Sequence, residues 1–252
     1  METKRLAGLE PAAVFGYFEE ICAIPHGSRN TKMISDYLVA FAKKNELKYI
    51  QDADNNVIIF GEASEGMEDH PPVILQGHMD MVCEKDADCL IDMAVDGLDV
   101  THDGKVVFAK GTTLGADNGI AVAMGMALLA DKTLVHPPIE LIVTTDEEIG
   151  LLGAASVDLS ELKGRTMINL DSEGEGIFTV SCAGGCTATI SLPVERRAVY
   201  GPCIRLVVDG LKSGHSGADI HRNRANANKV MGEFMSRIQK LMPLCLTSLA
   251  GG

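Results

Sequence analysis

The sequence predicts an α/β fold, a sandwich built on a largely parallel central sheet. Short apolar runs bounded by Pro, Gly or Asn alternate along the chain with longer segments whose apolar residues recur at helical spacing. The run at 72–76 is continuously apolar, which is typical of a strand buried on both faces of a parallel sheet. Because 46% of the 252 residues are hydrophobic, the chain can bury a sizeable core.

Helices are predicted over 11–24 and 31–45, where apolar residues recur at helical spacing and Pro11 suits a first turn. The elements predicted after them are strand 57–60, strand 72–76, a loop or hairpin at 96–108, helix 120–129, strand 139–144 and strand 166–170.

The composition of the chain changes after Asp171, where glycines and acids precede two further strand-like runs, at 186–192 and 204–208, and a helix at 225–241. We therefore expect a first domain over 1–180 and the start of a second over 181–252. The second has too few elements to close a sheet, so we expect an incomplete α+β domain.

Charge and composition exclude several classes of protein. A net charge of −13 without a basic block argues against nucleic-acid binding, since phosphates need a positive surface. No apolar run reaches the roughly 20 residues of a membrane span, and the N-terminus lacks a signal-peptide pattern. Seven cysteines, an odd number in a chain of this size, fit reduced thiols in a cytoplasmic protein.

Acids and a histidine follow or close the apolar runs in four separate segments. The open edge of a parallel sheet collects the carboxyl ends of its strands, so these side chains are expected to converge. Imidazole and carboxylate groups gathered in this way are typical of a two-metal hydrolytic centre. The residues concerned are His78, Asp80, Asp117, Glu147, Glu148 and Asp171.

Each of these residues also has an ordinary structural interpretation. His78 alone fits a buried core histidine, and Asp117 alone fits a helix N-cap. The Glu147–Glu148 pair alone fits a solvated surface, and Asp171 alone fits a turn at the end of a strand. The metal-centre hypothesis depends on the combination, because every member stands at the edge of a strand or helix.

In these segments the chain resembles the co-catalytic zinc exopeptidases, a group that includes glutamate carboxypeptidase, tripeptide aminopeptidase, aminoacylase and carnosinase. Within that group it is most similar to the bacterial aminoacyl-histidine dipeptidases. The resemblance covers essentially the whole chain. It is carried by 76–82, 111–119, 145–150 and 169–173, with support from 17–21, 24–26, 213–217 and 220–227.

The resemblance implies a role for each residue of the constellation. His78 and Asp171 would hold one zinc ion, Glu148 the other, and Asp117 would bridge the two. Co or Mn could replace zinc. Asp80 would accept a hydrogen bond from the His78 ring. Glu147 would be the general base for a water that bridges the metals.

The resemblance also implies a catalytic domain over 1–180 and a lid and dimerisation domain over 181–252, through which a homodimer would form. His215, in the lid, would bind substrate and stabilise the tetrahedral intermediate. His221 and Arg222 could touch a substrate carboxylate. His26, His70, His102 and His136 are taken as bystanders.

The implied reaction is hydrolysis of dipeptides, with Xaa-His dipeptides including carnosine as substrates. Two alternatives stay open, a related zinc aminopeptidase or deacylase, and a catalytically inert fragment. One departure favours the last: the family's second zinc takes a further histidine from beyond the lid, and none of the seven histidines here stands in such a place. We therefore expect an N-terminal portion of a longer protein with one incomplete metal site.

Overall fold

The computed structural model describes residues 5–172, 174–182, 184, 186, 188–212, 214 and 219–251. The chain divides into two compact units, Met1–Cys182 and Ala183–Gly252. The first unit has the predicted α/β class, with helices packed on a central sheet whose strands mainly run in one direction.

The helices and strands of the first unit were largely predicted, with shifts of a few residues at their ends. In chain order they are α1 (Ala12–Cys22), α2 (Lys32–Lys44), β1 (Lys48–Gln51), β2 (Val57–Gly61), β3 (Val73–His78), β4 (Val100–His102), β5 (Val107–Ala109), α3 (Ala116–Ala130), β6 (Ile139–Thr144), α4 (Leu152–Ser156) and β7 (Thr166–Asn169). Sequence analysis missed β1 and α4, which are too short to show a periodic pattern.

The central sheet has five strands in the order β1-β2-β6-β3-β7. Strand β3 pairs in parallel with both β6 and β7, whereas β2 is antiparallel to β1 and to β6. Only β2 therefore runs against the other strands. The carboxyl ends of β6, β3 and β7 meet at one edge of the sheet, and β4 and β5 form a separate antiparallel hairpin.

Most of the core lies between one face of the sheet and the helices α1, α2 and α3. Alternate residues of β6 divide between the two faces, because successive side chains of a strand point in opposite directions. Leu141 belongs to the main core with Phe18 and Met126, while Ile142 belongs to a smaller core with Leu162. β6 is buried along its whole length, so the middle of the sheet's open edge is formed by a fully buried strand.

The second unit contains helix α5 (Ala227–Gln239) and a short 3₁₀ turn at Ile220–Arg222. The side chain of Asn226 caps α5 by accepting a hydrogen bond from the backbone N–H of Lys229. A helix was predicted here over 225–241, a few residues longer than the one observed. The Gly232 position within it has open space around it.

The strands predicted over 186–192 and 204–208 are wrong, because the described residues of these segments form neither strand nor helix. Ile190 and Ile204 are 83% and 78% exposed. A strand persists only when a neighbour satisfies its backbone hydrogen bonds, and these runs have none among the described residues. An apolar run was therefore insufficient evidence for a strand in this part of the chain.

Candidate metal centre

The three parallel strand ends carry the predicted metal-binding side chains. His78 is the last residue of β3, Glu147 and Glu148 follow β6, and Asp171 follows β7. Asp117 reaches the same edge from the first turn of α3. The structure thus brings together residues that are far apart in the sequence, as expected for the open edge of a parallel sheet.

His78 is the centre of this group. Its side chain is only 1% exposed, and Nε2 lies 3.1 Å from Oδ1 of Asp117, 3.8 Å from Oε2 of Glu147 and 3.9 Å from Oδ2 of Asp171. A structural core histidine would have apolar or singly paired surroundings. One nitrogen that faces three carboxylates instead has the surroundings of a metal ligand.

Two overlapping groups of side chains could each hold a metal ion. One consists of His78, Asp117 and Glu148, and the other of His78, Glu147 and Asp171, with the ligand atoms of each group within 4.8 Å of one another. Imidazole nitrogen and carboxylate oxygen are ligands that zinc accepts, so the donor set fits that metal. Both groups use His78, and the single imidazole cannot complete two separate sites.

Asp117 is not the N-cap of α3. The cap position is Gly115, and it is followed by a backbone at Asp117 that departs from helical geometry, with φ −82° and ψ 104°. The peptide bond between Asp117 and Asn118 is cis. The side chain of Asp117 points to His78 and is 62% exposed, which leaves its second oxygen open to a ligand.

Asp80 contacts both the turn that carries Glu147 and Glu148 and the ring of His78. Its Oδ1 accepts a hydrogen bond from the backbone N–H of Glu147 at 3.0 Å, and its Oδ2 lies 3.4 Å from the backbone nitrogen of Glu148. The His78 Nδ1 atom is 3.4 Å from Oδ1 of Asp80 but only 2.9 Å from the main-chain oxygen of Asp80. The buried carboxylate therefore fixes the acidic turn as well as supporting the histidine.

Asn118 was missed by sequence analysis, although it lies next to a predicted ligand. Its Oδ1 accepts a hydrogen bond from the backbone N–H of His78 at 3.2 Å, and its Nδ2 donates to the carbonyl of Leu170 at 3.0 Å. A Cβ on Gly77 would lie 2.3 Å from this Oδ1. Asn118 thus ties the ends of β3 and β7 together, and glycine at 77 gives it the room.

The turn that carries Glu147 and Glu148 is anchored by a second buried asparagine. Oδ1 of Asn56 accepts hydrogen bonds from the backbone N–H of Thr145 at 3.0 Å and from its hydroxyl at 3.2 Å. Nδ2 of Asn56 donates to Asp52 at 2.8 Å. Nothing in the local sequence pattern indicates this contact, because Asn56 and Thr145 are 89 residues apart.

The carboxylates change the protonation of the histidine. Burial alone would lower the pKa of His78, but the hydrogen bond and charge of Asp80 and the charges of Asp171 and Glu147 outweigh it and raise the pKa to about 9. Burial would raise the pKa of Asp80, yet its hydrogen bonds from His78, Glu147 and Ser28 hold that pKa below its usual value. The metal-free centre thus favours a charged histidine.

The pKa values of Glu147 and Glu148 are shifted upward, in the opposite direction to that of Asp80. Burial raises the pKa of Glu147, opposed by His78 and reinforced by Asp171, Asp80 and Asp117. Burial and then the charge of Asp117 raise the pKa of Glu148. Crowding of like charges makes the metal-free centre unfavourable, and a divalent cation would relieve this repulsion.

His26, taken as a bystander, is 2% exposed. Its Nδ1 donates to the Ile24 carbonyl at 2.5 Å, and a Cβ on Gly115 would lie 3.3 Å from its Nε2. Burial lowers its pKa. The predicted lid residue His215 lies outside the described residues.

No helix in the described part of the chain is long and apolar enough to cross a membrane.

Known proteins resemble the chain along almost its whole length, although no family model matches it. It is 39% identical over 249 residues to the cytosol non-specific dipeptidase of Escherichia coli K12. The predicted resemblance to dipeptidases is confirmed. The alignment covers 98% of this chain and 51% of that protein, so the chain spans about half the length of its relative.

Solved structures agree with this result. The crystal structure of aminoacylhistidine dipeptidase from Vibrio alginolyticus matches with a TM-score of 0.68 and 35% identity, over 94% of this chain and 49% of that one. A tripeptidase from Staphylococcus aureus matches with a TM-score of 0.54 over 64% of this chain and 43% of that one, and at 20% identity it supports the fold alone.

Proposed function

We propose that this chain provides the metal centre of a zinc-dependent dipeptidase that hydrolyses Xaa-His dipeptides, including carnosine. One observation carries the proposal: five side chains from four distant segments, His78, Asp117, Glu147, Glu148 and Asp171, converge at one sheet edge. The dipeptidase relatives, similar over nearly the whole chain, support the same reaction class.

His78, Asp117 and Asp171 would hold one zinc ion, and Glu148 with the shared Asp117 the other. When bound, zinc supplies Lewis-acid activation of the peptide carbonyl and of the attacking water. The buried Asp80 keeps the His78 ring oriented through Nδ1, so that Nε2 faces the carboxylates. The His78 Nδ1–H bond to Asp80 leaves the Nε2 lone pair for the metal.

Glu147 is proposed as the general base and then the general acid of the reaction. Its backbone is fixed by Asp80 while its side chain is 27% exposed, so the carboxylate can meet a substrate. Burial and the neighbouring acids raise the pKa of Glu147 toward neutral pH. A carboxyl group whose pKa lies closer to the working pH can accept and return a proton efficiently. His215 is proposed to stabilise the oxyanion.

The partner proposed for the chain is the dipeptide substrate, without nucleic acid or membrane. The 181–252 segment is proposed as the beginning of a lid and dimerisation domain that follows a catalytic domain over 1–180, and a homodimer would form through it. The relative from Escherichia coli is named as a cytosol enzyme, which supports a cytoplasmic location.

The first experiment is a zinc titration of the dialysed chain, followed by a substrate panel. We expect at most one tightly bound zinc per chain, because both candidate groups need His78 and the pair Glu148 and Asp117 offers only two protein ligands. We expect little or no turnover from this chain. Zinc binding lost in His78→Ala but retained in His70→Ala would support the centre.

The panel consists of carnosine, other Xaa-His dipeptides, tripeptides and acylated amino acids. Preference for the last two would replace the dipeptidase proposal by the related aminopeptidase or deacylase. Failure of the wild-type chain to bind zinc at all would contradict the metal centre. Zinc binding without turnover on any substrate agrees with an inert portion of a longer enzyme.

A further inference from the structure

A loop that sequence analysis left without a role pairs with the segment that follows β3. This loop, residues 26–29, follows α1 and lies beside Met81. The backbone N–H of Met81 donates to the carbonyl of His26 at 3.2 Å, and the backbone N–H of Ser28 donates to the carbonyl of Met81 at 3.4 Å. Gly27 and Met81 form an isolated parallel bridge, so the loop is registered against the segment that follows β3.

The same loop contacts two of the strand-end segments through polar groups. The Ser28 hydroxyl donates a hydrogen bond of 2.8 Å to Oδ2 of Asp80. The backbone N–H of Arg29 donates to Oδ1 of Asp146 at 2.6 Å. Asp146 has a positive φ of 53° and directly precedes Glu147, so this contact fixes the start of the acidic turn.

We infer that Ser28 is a positioning residue of the metal centre, acting through Asp80 on His78 and on the acidic turn. The inference rests on the proposed function for the identity of the centre. Asp80 is buried, and its Oδ1 is used by Glu147 and His78. The Ser28 hydroxyl is the only donor within 3.0 Å of Oδ2 in the described residues, since the Glu148 nitrogen is 3.4 Å away.

Removal of the Ser28 hydroxyl would leave a lone pair of a buried carboxylate without its short hydrogen bond. The carboxylate could then rotate about its terminal torsion, a soft rotation because that torsion has broad minima. Rotation would move Oδ1 away from His78 and from the backbone of Glu147 together. One small side chain thus influences the orientation of a metal ligand and of the general base.

The test is the zinc affinity of the dialysed chain, measured by competition with a chelator, for Ser28→Ala, Ser28→Thr and Ser64→Ala. Groups that hold a metal ligand contribute about 10–100-fold to metal affinity. Ser28 acts on one such group, Asp80, so we expect a loss at the low end of that range, about tenfold, in Ser28→Ala. Ser28→Thr keeps the hydroxyl and should restore the affinity. Ser64 donates to the Leu134 carbonyl away from the centre, and its replacement should change nothing.

The visible absorption of bound Co²⁺ provides a readout that a purely structural role would not move. Its band should shift in Ser28→Ala and not in Ser64→Ala, because the band reports ligand geometry. A double-mutant cycle adds the mechanism: in an Asp80→Ala background, Ser28→Ala should cause no further loss of zinc affinity.

An unchanged zinc affinity and Co²⁺ spectrum in Ser28→Ala, beside a wild-type chain that binds zinc, would overturn this inference and leave the proposed function intact. Equal losses in the wild-type and Asp80→Ala backgrounds would also overturn it, since Ser28 would then act by another route. A wild-type chain that binds no zinc would overturn both the inference and the proposed function.

Discussion

Two apolar runs of similar composition adopt different structures in the two units of the molecule. Ile139–Thr144, in the first unit, lies between β2 and β3 and is buried at every position. The run over 204–208, in the second unit, forms neither strand nor helix, and Ile204 is 78% exposed. Sequence patterns alone predicted a strand in both places.

The difference teaches that neighbours decide whether an apolar run becomes a strand. β6 receives hydrogen bonds from strands on both sides and packs side chains into a core on each face. None of the described residues of 183–251 is buried, so the second unit offers its runs no core to join. The candidate centre belongs to the supported part of this contrast, because its described residues end or follow strands of the first unit's sheet or, for Asp117, lie in the first turn of α3.

Hydrogen exchange would test the contrast most directly. Amide hydrogens of Ile139–Thr144 should exchange at least about 1,000-fold more slowly than those of 204–208, because core strands open only with much of the global unfolding energy. The measurement is exchange followed by mass spectrometry or NMR in the metal-free chain. Comparable protection in both runs would mean that the second run has a strand partner.

The acidic pair offers the next largest effect. In any preparation with measurable turnover, Glu147→Gln should lower the rate by about 10²–10⁴-fold while zinc affinity stays near the wild-type value, the scale of general acid–base catalysis. Glu148→Gln should instead lower zinc affinity. The two variants form a matched pair, since both residues lie in one turn and both backbones face Asp80.

The opposite result, with zinc lost in Glu147→Gln and kept in Glu148→Gln, would reverse the assignment of the pair. The structure allows this, because each acid belongs to one of the two candidate ligand groups.

Zinc affinity should also depend on pH through His78. The pKa of His78 is raised to about 9, so its ring is protonated at neutral pH and zinc must displace that proton. If only the His78 proton is considered, zinc affinity should rise about tenfold per pH unit from about pH 7 and level off near pH 9. With an ordinary histidine, zinc affinity would level off near pH 6.5. Chelator competition across this range measures the slope.

His102→Gln offers the control for this experiment, because His102 lies on the separate hairpin of β4 and β5. The slope should survive in that variant. An affinity that is flat above about pH 7 would show that the carboxylates around His78 do not hold its proton as the geometry indicates.

The sequence predicted the positions of the proposed ligands better than the contacts that hold them. Strand ends could be located because apolar runs stop at polar residues, and parallel strands place those ends at one edge. His78 and Asp171 were found in this way, and Asp117 from its glycine-flanked place before a predicted helix; the structure brings the three together. The placement needed only the local pattern and one rule of sheet geometry.

Contacts such as Asn118 to Leu170, Asn56 to Thr145 and Ser28 to Asp80 have no comparable signal. Each joins a side chain to a group that is distant in sequence, and polar residues of these types are common in every turn. His26 shows the same limit: it was taken as a bystander, and nothing in the local pattern indicated that its side chain is buried.

The smallest expected effect concerns two glycines of the first unit. Gly77→Ala would place a Cβ 2.3 Å from Oδ1 of Asn118 beneath the centre, whereas Gly16→Ala in α1 meets nothing within 4 Å. Overpacking at Gly77 should cost about 1–3 kcal/mol. Gly16→Ala should add up to about 1 kcal/mol, because alanine favours a helix over glycine. Thermal unfolding of both metal-free variants measures this. Because Asn118 links His78 to Leu170, Gly77→Ala should also weaken zinc binding, while Gly16→Ala should leave it unchanged. Equal stability of the two variants would show that Asn118 can move aside, and that the ends of β3 and β7 hold together without it.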